Sequence, residues 1–261
     1  MLTTAEHLKN IDEQEGSVYV LHEKTERRFP VHKHKKGQLT YVEGGIAFIH
    51  IKDKTYVIPG RHYVWVPKGL EHFLQVRSTA TAIRTLYFFA HDDHTNVFYS
   101  HMGIYPVNDL LLQMISYSER WNGHVNPGNF GFQFLSAIKE ILPEISKTPL
   151  PIAVPTTQNE RMRPIILYID KHLSEELSIE KLSKEFGIGE RTMSRLFQST
   201  LQLSFLQYLK LVRIVRGIAI MLQTTKSLSE IAYETGYGSI SAFSKAFYQL
   251  TNTRPSDFVR K

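Results

Sequence analysis

Cysteine is absent from the 261 residues of this chain. Its absence excludes disulfides, thiolate metal ligands and a cysteine nucleophile, so any transition metal must be held by His, Asp, Glu or Gln. Long apolar runs are also missing. No stretch approaches the ~18 to 20 apolar residues that span a bilayer, and residues 1–16 lack the apolar core of a secretory signal. We therefore expect a soluble, cytoplasmic protein.

Positive charge is concentrated toward one end of the sequence. The formal net charge is +6; residues 1–159 hold 16 Lys and Arg against 15 Asp and Glu, whereas residues 160–261 hold 15 against 10. A basic region is a candidate for binding a polyanion such as DNA, although a solvated basic surface would give the same counts. The pattern of residues must decide between the two.

Three patterns follow one another along the chain. Residues 17–90 contain seven short runs rich in β-branched and aromatic residues, which predict a sandwich or barrel. Helical periodicity then predicts two amphipathic helices, within 106–121 and 127–145. Three prolines in residues 146–159 predict an extended linker, after which the periodicity is helical. The predicted domains are a barrel (1–105), a helical segment (106–145), the linker (146–159) and an all-α domain (160–261).

The two helices before the linker each carry an apolar stripe. These stripes either pack onto the barrel or form a dimer surface, and the sequence leaves both possibilities open. The predicted stripes consist of Val107, Leu110, Leu111, Met114, Ile115 and Trp121 in the first helix, and Leu135, Ile138, Leu142 and Ile145 in the second.

The all-α region contains a weak internal repeat. Residues 178–197 resemble residues 227–247: each segment opens with Ser and an aliphatic residue, reaches a Gly (Gly187 or Gly236), and closes on Ser, a basic residue, an apolar residue and Phe. This pattern predicts two short helices joined by a tight turn, with the Gly at positive φ. The repeat therefore indicates two helix-turn-helix units. Ser178, Ser227 and Ser239 are predicted N-caps.

The second helix of each unit is predicted to bury one face and expose the other. A long helix over residues 205–223 could hold the two exposed faces about one DNA turn apart, roughly 34 Å. The alternative is a helical bundle that binds protein. The residues predicted to be buried are Met193, Leu196, Phe197, Phe243, Ala246 and Phe247. The residues predicted to contact DNA are Glu190, Arg191, Ser194, Arg195, Ser239, Ile240, Ser241, Ser244 and Lys245.

Residues 160–261 resemble the DNA-binding domain of the AraC/XylS transcriptional regulators. Gln202 and Asn252 depart from the family pattern, which usually has Gly after each recognition helix; Gln202 should be strained or adopt another turn. The resemblance implies a bipartite reader of operator DNA, usually an activator that recruits RNA polymerase, and a homodimer. The matching residues include Leu182, Gly187, Arg195, Phe197, Ser204, Tyr208 and Arg213, then Ile231, Ala232, Gly236, Tyr237, Phe243, Phe247, Pro255, Phe258 and Arg260.

A histidine motif, HKHKKGQ, occupies residues 32–38. In a strand, His32 and His34 would share one face, and Gln38 would join them if the strand continued in phase. His72, in the turn sequence PKGLEH, is a fourth candidate. These two segments resemble the paired motifs of the cupin barrel, where three His and a Glu bind a divalent metal. Gln38 stands at the Glu position of that pattern.

The absence of the carboxylate leaves two interpretations of this pocket. Three imidazoles and an amide could hold Zn, Ni, Fe or Mn with reduced affinity, or the pocket could be metal-free and bind a small molecule; we favour the metal-free pocket. The expected fold is α+β: an N-terminal jelly-roll cupin followed by helices, then an all-α domain with two helix-turn-helix units joined by a long helix.

The resulting hypothesis is an effector-responsive transcription factor rather than an enzyme. The sequence has no GxxxxGK, GxSxG or HExxH motif, so the enzyme alternative is a cupin dioxygenase or isomerase with a DNA-binding tail. A third possibility is a constitutive regulator whose barrel only dimerises.

Overall fold

The computed structural model describes residues 4–23, 30–52, 54–76, 82–150, 152–155, 157 and 159–260. The chain forms two compact units, the first comprising Met1–Lys52 and Ile58–Leu150, the second Asp53–Val57 and Pro151–Lys261. The main division therefore falls inside the predicted linker.

The helices and strands are, in chain order, α1 (Thr4–Ile11), β1 (Val18–Glu23), β2 (Gly37–Val42), β3 (Ile46–Ile51), β4 (Lys54–Pro59), β5 (His62–Val66), β6 (Phe73–Val76), β7 (Ile83–Phe88), β8 (Gly103–Pro106), α2 (Asp109–Tyr117), β9 (Gly123–Val125), α3 (Phe130–Ile145), β10 (Ala153–Pro155), α4 (Met162–Lys171), α5 (Ile179–Phe186), α6 (Glu190–Leu201), α7 (Phe205–Gln223), α8 (Leu228–Glu234), α9 (Ile240–Thr251) and α10 (Pro255–Arg260). The seven strands predicted between residues 17 and 90 are confirmed as β1 to β7. These segments form strands because alternating β-branched and aromatic residues favour a half-buried pleated surface.

The larger sheet of the first unit has the strand order β8-β5-β2-β7-β1-β9, with antiparallel neighbours. Strand β2 lies near its middle, and all six of its residues are buried. Thr40 of β2 pairs with Val64 on β5 and with Thr85 on β7. A second antiparallel pair joins β3 to β6. The sheet part of the predicted fold is therefore confirmed.

Aromatic and aliphatic side chains of the larger sheet form the core of the first unit. Trp65 and Tyr63 are fully buried, and the Trp65 indole N–H donates to the Tyr99 carbonyl at 3.1 Å. Burial of each such large side chain stabilises the fold by roughly 1.5–3 kcal/mol. The buried residues of α2 and α3 that belong to the same core are Leu111, Ile115, Leu135, Ile138 and Leu142. Packing onto the sheet is thus one role of both helices.

Three residues of the predicted first stripe lie elsewhere than expected, and the first is Val107, which precedes α2 and its N-cap Asn108. The side chain of Leu110 is 57% exposed, because its neighbour Leu111 takes the inward position on the helix. Trp121 follows a 3-10 turn at Ser118–Arg120 and has extended backbone angles, so it is outside α2. The predicted helical segment also contains β9, which pairs with β1.

In the second unit, β10 corrects part of the linker prediction. Ala153 and Val154 pair with Tyr56 and Thr55 of β4, so residues 153–155 form a short strand rather than an unpaired segment. Val154 also packs against the helical core of this unit. Three residues ending in proline carry too little strand signal to be detected without these tertiary contacts.

The predicted double helix-turn-helix is present as α5–α6 and α8–α9, with α7 between them. The Ser178 hydroxyl accepts from the Lys181 backbone N–H, and Ser227 forms a full capping box with Glu230. Gly187 has a φ of 61° and ends α5. At Gly236, a Cβ would collide with the Leu173 carbonyl oxygen, so the turn between α8 and α9 has no room for a side chain.

Both departures from the family pattern lie in the left-handed region. Gln202 has a φ of 56° and Asn252 a φ of 55°, each directly after its recognition helix. The predicted strain at Gln202 therefore applies, since this region disfavours residues with a long side chain, whereas Asn tolerates it. Among the described helices, none combines the length and hydropathy that a bilayer span requires.

Candidate functional site: histidine cluster and nucleic-acid interface

The backbone brings His32, His34 and His72 together with Gln38, a set we call the histidine cluster. His32 and His72 exchange two backbone N–H···O hydrogen bonds, both 2.9 Å long, and the Gly69 N–H donates to the His34 carbonyl at 2.8 Å. Only Gln38 lies in β2; the segment holding His32 and His34 precedes that strand. The assumption that these two histidines lie in a strand was therefore wrong, but the four side chains converge as predicted.

Each imidazole of the cluster is oriented by a backbone carbonyl. The Nδ1 atoms of His32, His34 and His72 lie 2.8, 2.6 and 2.8 Å from carbonyl oxygens of Pro30, Lys36 and Leu70. Since a carbonyl only accepts, these contacts place the imidazole proton on Nδ1 and leave the lone pair on Nε2. Backbone carbonyls orient metal-binding histidines in the same way.

The Nε2 side of the cluster faces an amide oxygen. Gln38 Oε1 lies 2.8 Å from His34 Nε2 and 3.0 Å from His72 Nε2, while the Gln38 amide nitrogen donates to Thr40 Oγ1 at 2.7 Å. His34, Gln38 and His72 are buried, and His32 is half-buried. The buried His32 Nε2 has no hydrogen-bond partner among the described residues. Four lone-pair atoms therefore meet without a proton donor between them.

Burial keeps these imidazoles neutral. Loss of solvation lowers the pKa of each histidine, with neighbouring imidazoles lowering those of His32 and His72 further, and the pKa of His72 falls to about 3. Hydrogen bonds to Gln38 and to backbone carbonyls oppose the shift without reversing it. Neutral imidazole is the form that binds a metal ion.

The donor set fits a divalent transition metal. Each of the three histidines offers a ligand atom, and these atoms lie within 4.8 Å of one another; no second group of this kind occurs in the part of the chain that the structure describes. Imidazole nitrogens suit zinc, nickel and iron, whereas calcium and magnesium prefer several carboxylates. The fourth donor is a neutral amide oxygen, so the site supplies no charge to offset that of the cation.

A cavity of about 840 Å³ adjoins the cluster and has His34 in its wall. Most charges in this cavity are already paired: Lys35 Nζ lies 2.7 Å from a Glu15 carboxylate oxygen, and Asp12 accepts from the Lys35 backbone N–H. Lys36 is buried and donates to backbone carbonyls. Lys33 has no ion-pair partner within the described ranges.

In the second unit, α6 and α9 expose most of the residues predicted to contact DNA. Ser244 is half-buried, and the Ser239 hydroxyl accepts from the Ala242 backbone N–H at 3.2 Å, so its first role is to cap α9. The predicted contact residues with exposed side chains are Glu190, Arg191, Ser194, Arg195, Ser239, Ile240, Ser241 and Lys245.

The opposite faces of both helices are buried as predicted, with one exception. Met193, Phe197, Phe243 and Phe247 are fully inaccessible, and Ala246 is buried. Leu196 is only half-buried and packs at the edge of the core. The helix faces inferred from the sequence are otherwise correct, because 3.6-residue periodicity separates them clearly.

Thr40, Thr85 and Arg213 are polar residues whose contacts the sequence did not reveal. Thr40 Oγ1 lies 3.1 Å from Thr85 Oγ1 and extends the Gln38 hydrogen bond across the sheet. Thr40 could have been found, because it follows Gln38 by two positions on one strand face. Arg213 donates to the Leu173 and Glu175 carbonyls. These partners are distant in sequence, so no local pattern predicts the contacts.

The fold and its sites define a class: a protein with an antiparallel sheet domain that contains a candidate ligand site, followed by a double helix-turn-helix domain. Two family models match these parts. The AraC-like ligand binding domain matches residues 15–93, and a helix-turn-helix domain matches residues 182–261. The chain belongs to the AraC family of DNA-binding transcriptional regulators.

Known regulators are similar to this chain over different lengths. The HTH-type transcriptional regulator NimR of Escherichia coli K12 is 21% identical over 232 residues, which are 89% of this chain and 82% of NimR. An uncharacterized HTH-type transcriptional regulator of Staphylococcus aureus MSSA476 is 26% identical over 100 residues, or 38% of this chain, and the chain spans only 13% of that protein. Both relatives are named as transcriptional regulators of the helix-turn-helix type.

Among solved structures, ToxT from Vibrio cholerae matches 93% of this chain and 97% of its own, with 15% identity and a TM-score of 0.39.

Proposed function

We propose that this regulator reads operator DNA with the exposed faces of α6 and α9 and senses a divalent transition-metal ion with the histidine cluster. The observation that carries the sensory half is the convergence of three Nε2 lone pairs and the Gln38 oxygen. His32, His34 and His72 would hold the ion, with Gln38 as a fourth ligand. When bound, the ion would supply the charge that these neutral, buried donors lack.

The DNA-reading half is supported by the chemistry of the exposed faces. Arg191 and Arg195 on α6 have no ion pair in the described ranges, so their guanidinium groups are free to bond guanine edges or phosphates. On α9, Lys245 offers a cation, while the 44% exposed Ile240 can contact a thymine methyl group. The two faces differ, so the two half-sites should differ in sequence.

The experiment that tests both halves is a genome-wide map of bound sites in cells grown with and without a metal chelator. We expect sites with two unlike half-sites about one DNA turn apart and occupancy that changes on chelation. Sites without a shared sequence would contradict the DNA-reading half. A shared sequence with occupancy insensitive to chelation would contradict only the sensory half.

A small anionic molecule is a second candidate effector, favoured by the cavity beside His34. Lys33 is unpaired in the described part of the chain, and Lys68 makes only one long hydrogen bond, 3.3 Å, to the Ala90 carbonyl. A carboxylate could bind between these two cations. A ligand screen by thermal shift distinguishes the candidates: stabilisation lost in a K33A/K68A variant, and kept in H72A, would favour the anion.

The partners and site of action that we propose follow the family pattern. Leu110 and Tyr117 on α2 and Phe130 on α3 are 57%, 40% and 71% exposed, and we propose these apolar side chains as contacts of a homodimer. Sedimentation velocity of the L110E variant tests this surface; an unchanged dimer would exclude it. The regulator would act in the cytoplasm by recruiting RNA polymerase, and reporter assays at mapped sites would establish the sign of regulation.

The enzyme alternative has less support. Gln38 replaces the carboxylate of the cupin metal set, and the relatives are transcriptional regulators. Metal-loaded protein that turns over a substrate, with DNA binding unaffected by the cluster, would favour the enzyme. If neither metal ions nor small anions changed the Tm, the constitutive regulator would be favoured instead.

A further inference from the structure

The histidine cluster has more hydrogen-bonding contacts than it has protons to form them. A neutral imidazole carries one proton, and those of His34 and His72 are committed to carbonyl oxygens through Nδ1. Their Nε2 lone pairs therefore face the lone pairs of Gln38 Oε1 at 2.8 and 3.0 Å. Acceptors that face each other inside a protein repel and remain unsatisfied.

Changing the histidine tautomer does not remove the conflict. A proton on His34 Nε2 would leave its Nδ1 lone pair against the Lys36 carbonyl oxygen at 2.6 Å. Protonating both nitrogens would place a positive charge on a buried side chain that lies beside two further imidazoles, where the charge would lose its solvation. Two arrangements satisfy the atoms: a cation between the four lone pairs, or a rotated amide.

We infer that Gln38 reports whether the histidine cluster is occupied, through the direction of its side-chain amide; this inference rests on the metal-sensing function proposed above. With an ion present, the amide oxygen faces the imidazoles as a ligand. Without one, the amide rotates by half a turn and its two N–H groups donate to Nε2 of His34 and of His72. One side chain thus satisfies both states, because an amide has a donor end and an acceptor end.

The orientation of the Gln38 amide determines which way two hydroxyl groups in the larger sheet donate their hydrogen bonds. With the oxygen toward the imidazoles, the amide nitrogen donates to Thr40, whose hydroxyl is then free to donate to Thr85. After rotation, Thr40 must donate to the amide oxygen and accept from Thr85. Thr40 and Thr85 are paired residues of β2 and β7. Binding of an ion would therefore reverse the direction of a hydrogen bond inside the larger sheet.

An amide suits reversible sensing better than a carboxylate, because only the amide has both a donor end and an acceptor end. Glu at position 38 would offer only acceptors when ionised and would repel the Nε2 lone pairs of the empty cluster. A carboxylate would bind the ion more strongly but destabilise the empty state. Gln38 makes both states accessible at the expense of affinity.

The test compares the full-length wild type with Q38E and Q38L, using zinc and nickel ions as probes in competition with a chromophoric chelator. We expect Q38E to bind at least about tenfold more tightly and Q38L at least about tenfold more weakly, the range seen when the surroundings of metal ligands are altered. Metal-free Q38E should also have a lower Tm than the metal-free wild type. This combination of tighter binding with a less stable empty state is not expected of a merely structural residue.

Gln75 provides a matched control in the same unit. Its amide oxygen lies 3.2 Å from His50 Nε2, so Q75E makes the same change beside a histidine outside the cluster. Q75E should bind zinc and nickel like the wild type. In ¹⁵N-edited spectra, the Gln38 side-chain NH₂ signals, identified by their absence in Q38E, should shift when the ion is added.

The outcomes separate this inference from the proposed function. Wild-type binding that persists unchanged in Q38E and Q38L, or Gln38 signals that do not move at saturation, would overturn the inference and leave the metal site standing. No zinc or nickel binding by the wild type would overturn both. DNA affinity, measured separately, would show whether the regulator itself is affected.

Discussion

The histidine cluster and the recognition faces of α6 and α9 use polar side chains in opposite ways. The cluster is largely buried and neutral, and its Nδ1 atoms are held by carbonyls. The recognition faces are mostly exposed, and Arg191 and Arg195 have no ion pair among the described residues. A buried polar group needs hydrogen-bond partners within the fold, whereas an exposed one is hydrated until it binds DNA. Changes in the first region should therefore alter stability and ligand binding; those in the second should alter only DNA affinity.

The largest expected effect on stability comes from the buried faces of the recognition helices α6 and α9. Replacing Phe197 or Phe247 with Ala should lower the free energy of unfolding by about 3–5 kcal/mol, because each is a fully buried aromatic residue in a packed core. Urea unfolding followed by circular dichroism measures this loss. The exposed Tyr248 is the control, and Y248A should unfold like the wild type. A larger loss in Y248A than in F247A would mean that the faces of α9 are reversed.

Occupancy of the cluster should have the next largest effect. An ion present at a hundredfold excess over its Kd should stabilise the wild type by about 2.7 kcal/mol, since it binds the folded state alone. The H72A variant should lose this stabilisation, because it lacks one of three converging nitrogens. Thermal melting with and without zinc measures the difference. The control is H101A, an exposed histidine of the same unit outside the cluster; a zinc response retained in H72A would contradict the site.

Removing an exposed cation from either recognition face should weaken DNA binding without changing the fold. R195A and K245A should each lose about 1–3 kcal/mol of operator binding if they contact bases, with their Tm preserved. Fluorescence anisotropy on an operator from the binding map measures this loss. Lys184, paired with Glu180 on α5, supplies the control K184A. Full operator affinity in both R195A and K245A would remove the recognition faces from the proposal.

The smallest effect compares the ends of the two recognition helices. Gln202 and Asn252 have nearly the same left-handed φ, but only Asn tolerates it well. Q202G should therefore raise the free energy of unfolding by about 1 kcal/mol, and N252G should change it less. Urea unfolding of both variants provides the comparison. An equal gain in the two would show that the side chain of Gln202 adds no particular strain.

Local patterns sufficed for the elements and failed for the contacts between them. The strand runs, the helix caps at Ser178 and Ser227, and the left-handed Gly187 follow from residues near one another in sequence. The short strands β9 and β10 do not, because they exist only through their partners β1 and β4.

The candidate site shows the same limit. Motif spacing identified all four members of the cluster, but it gave neither the Nδ1 contacts nor the direction of the Gln38 amide. Those depend on where the carbonyls of Pro30, Lys36 and Leu70 lie after folding. The position of Thr85 opposite Thr40 likewise depends on strand register between segments more than forty residues apart.

The paired backbone hydrogen bonds between His32 and His72 have a consequence for how this site can diversify. Because main-chain hydrogen bonds hold the two segments together beside the side-chain contacts, this part of their spacing does not depend on which side chains they carry. Substitutions at positions 32, 34, 38 or 72 can therefore exchange one ligand chemistry for another while the frame remains in place. Related regulators could acquire new signals at this frame without altering the surfaces that read DNA.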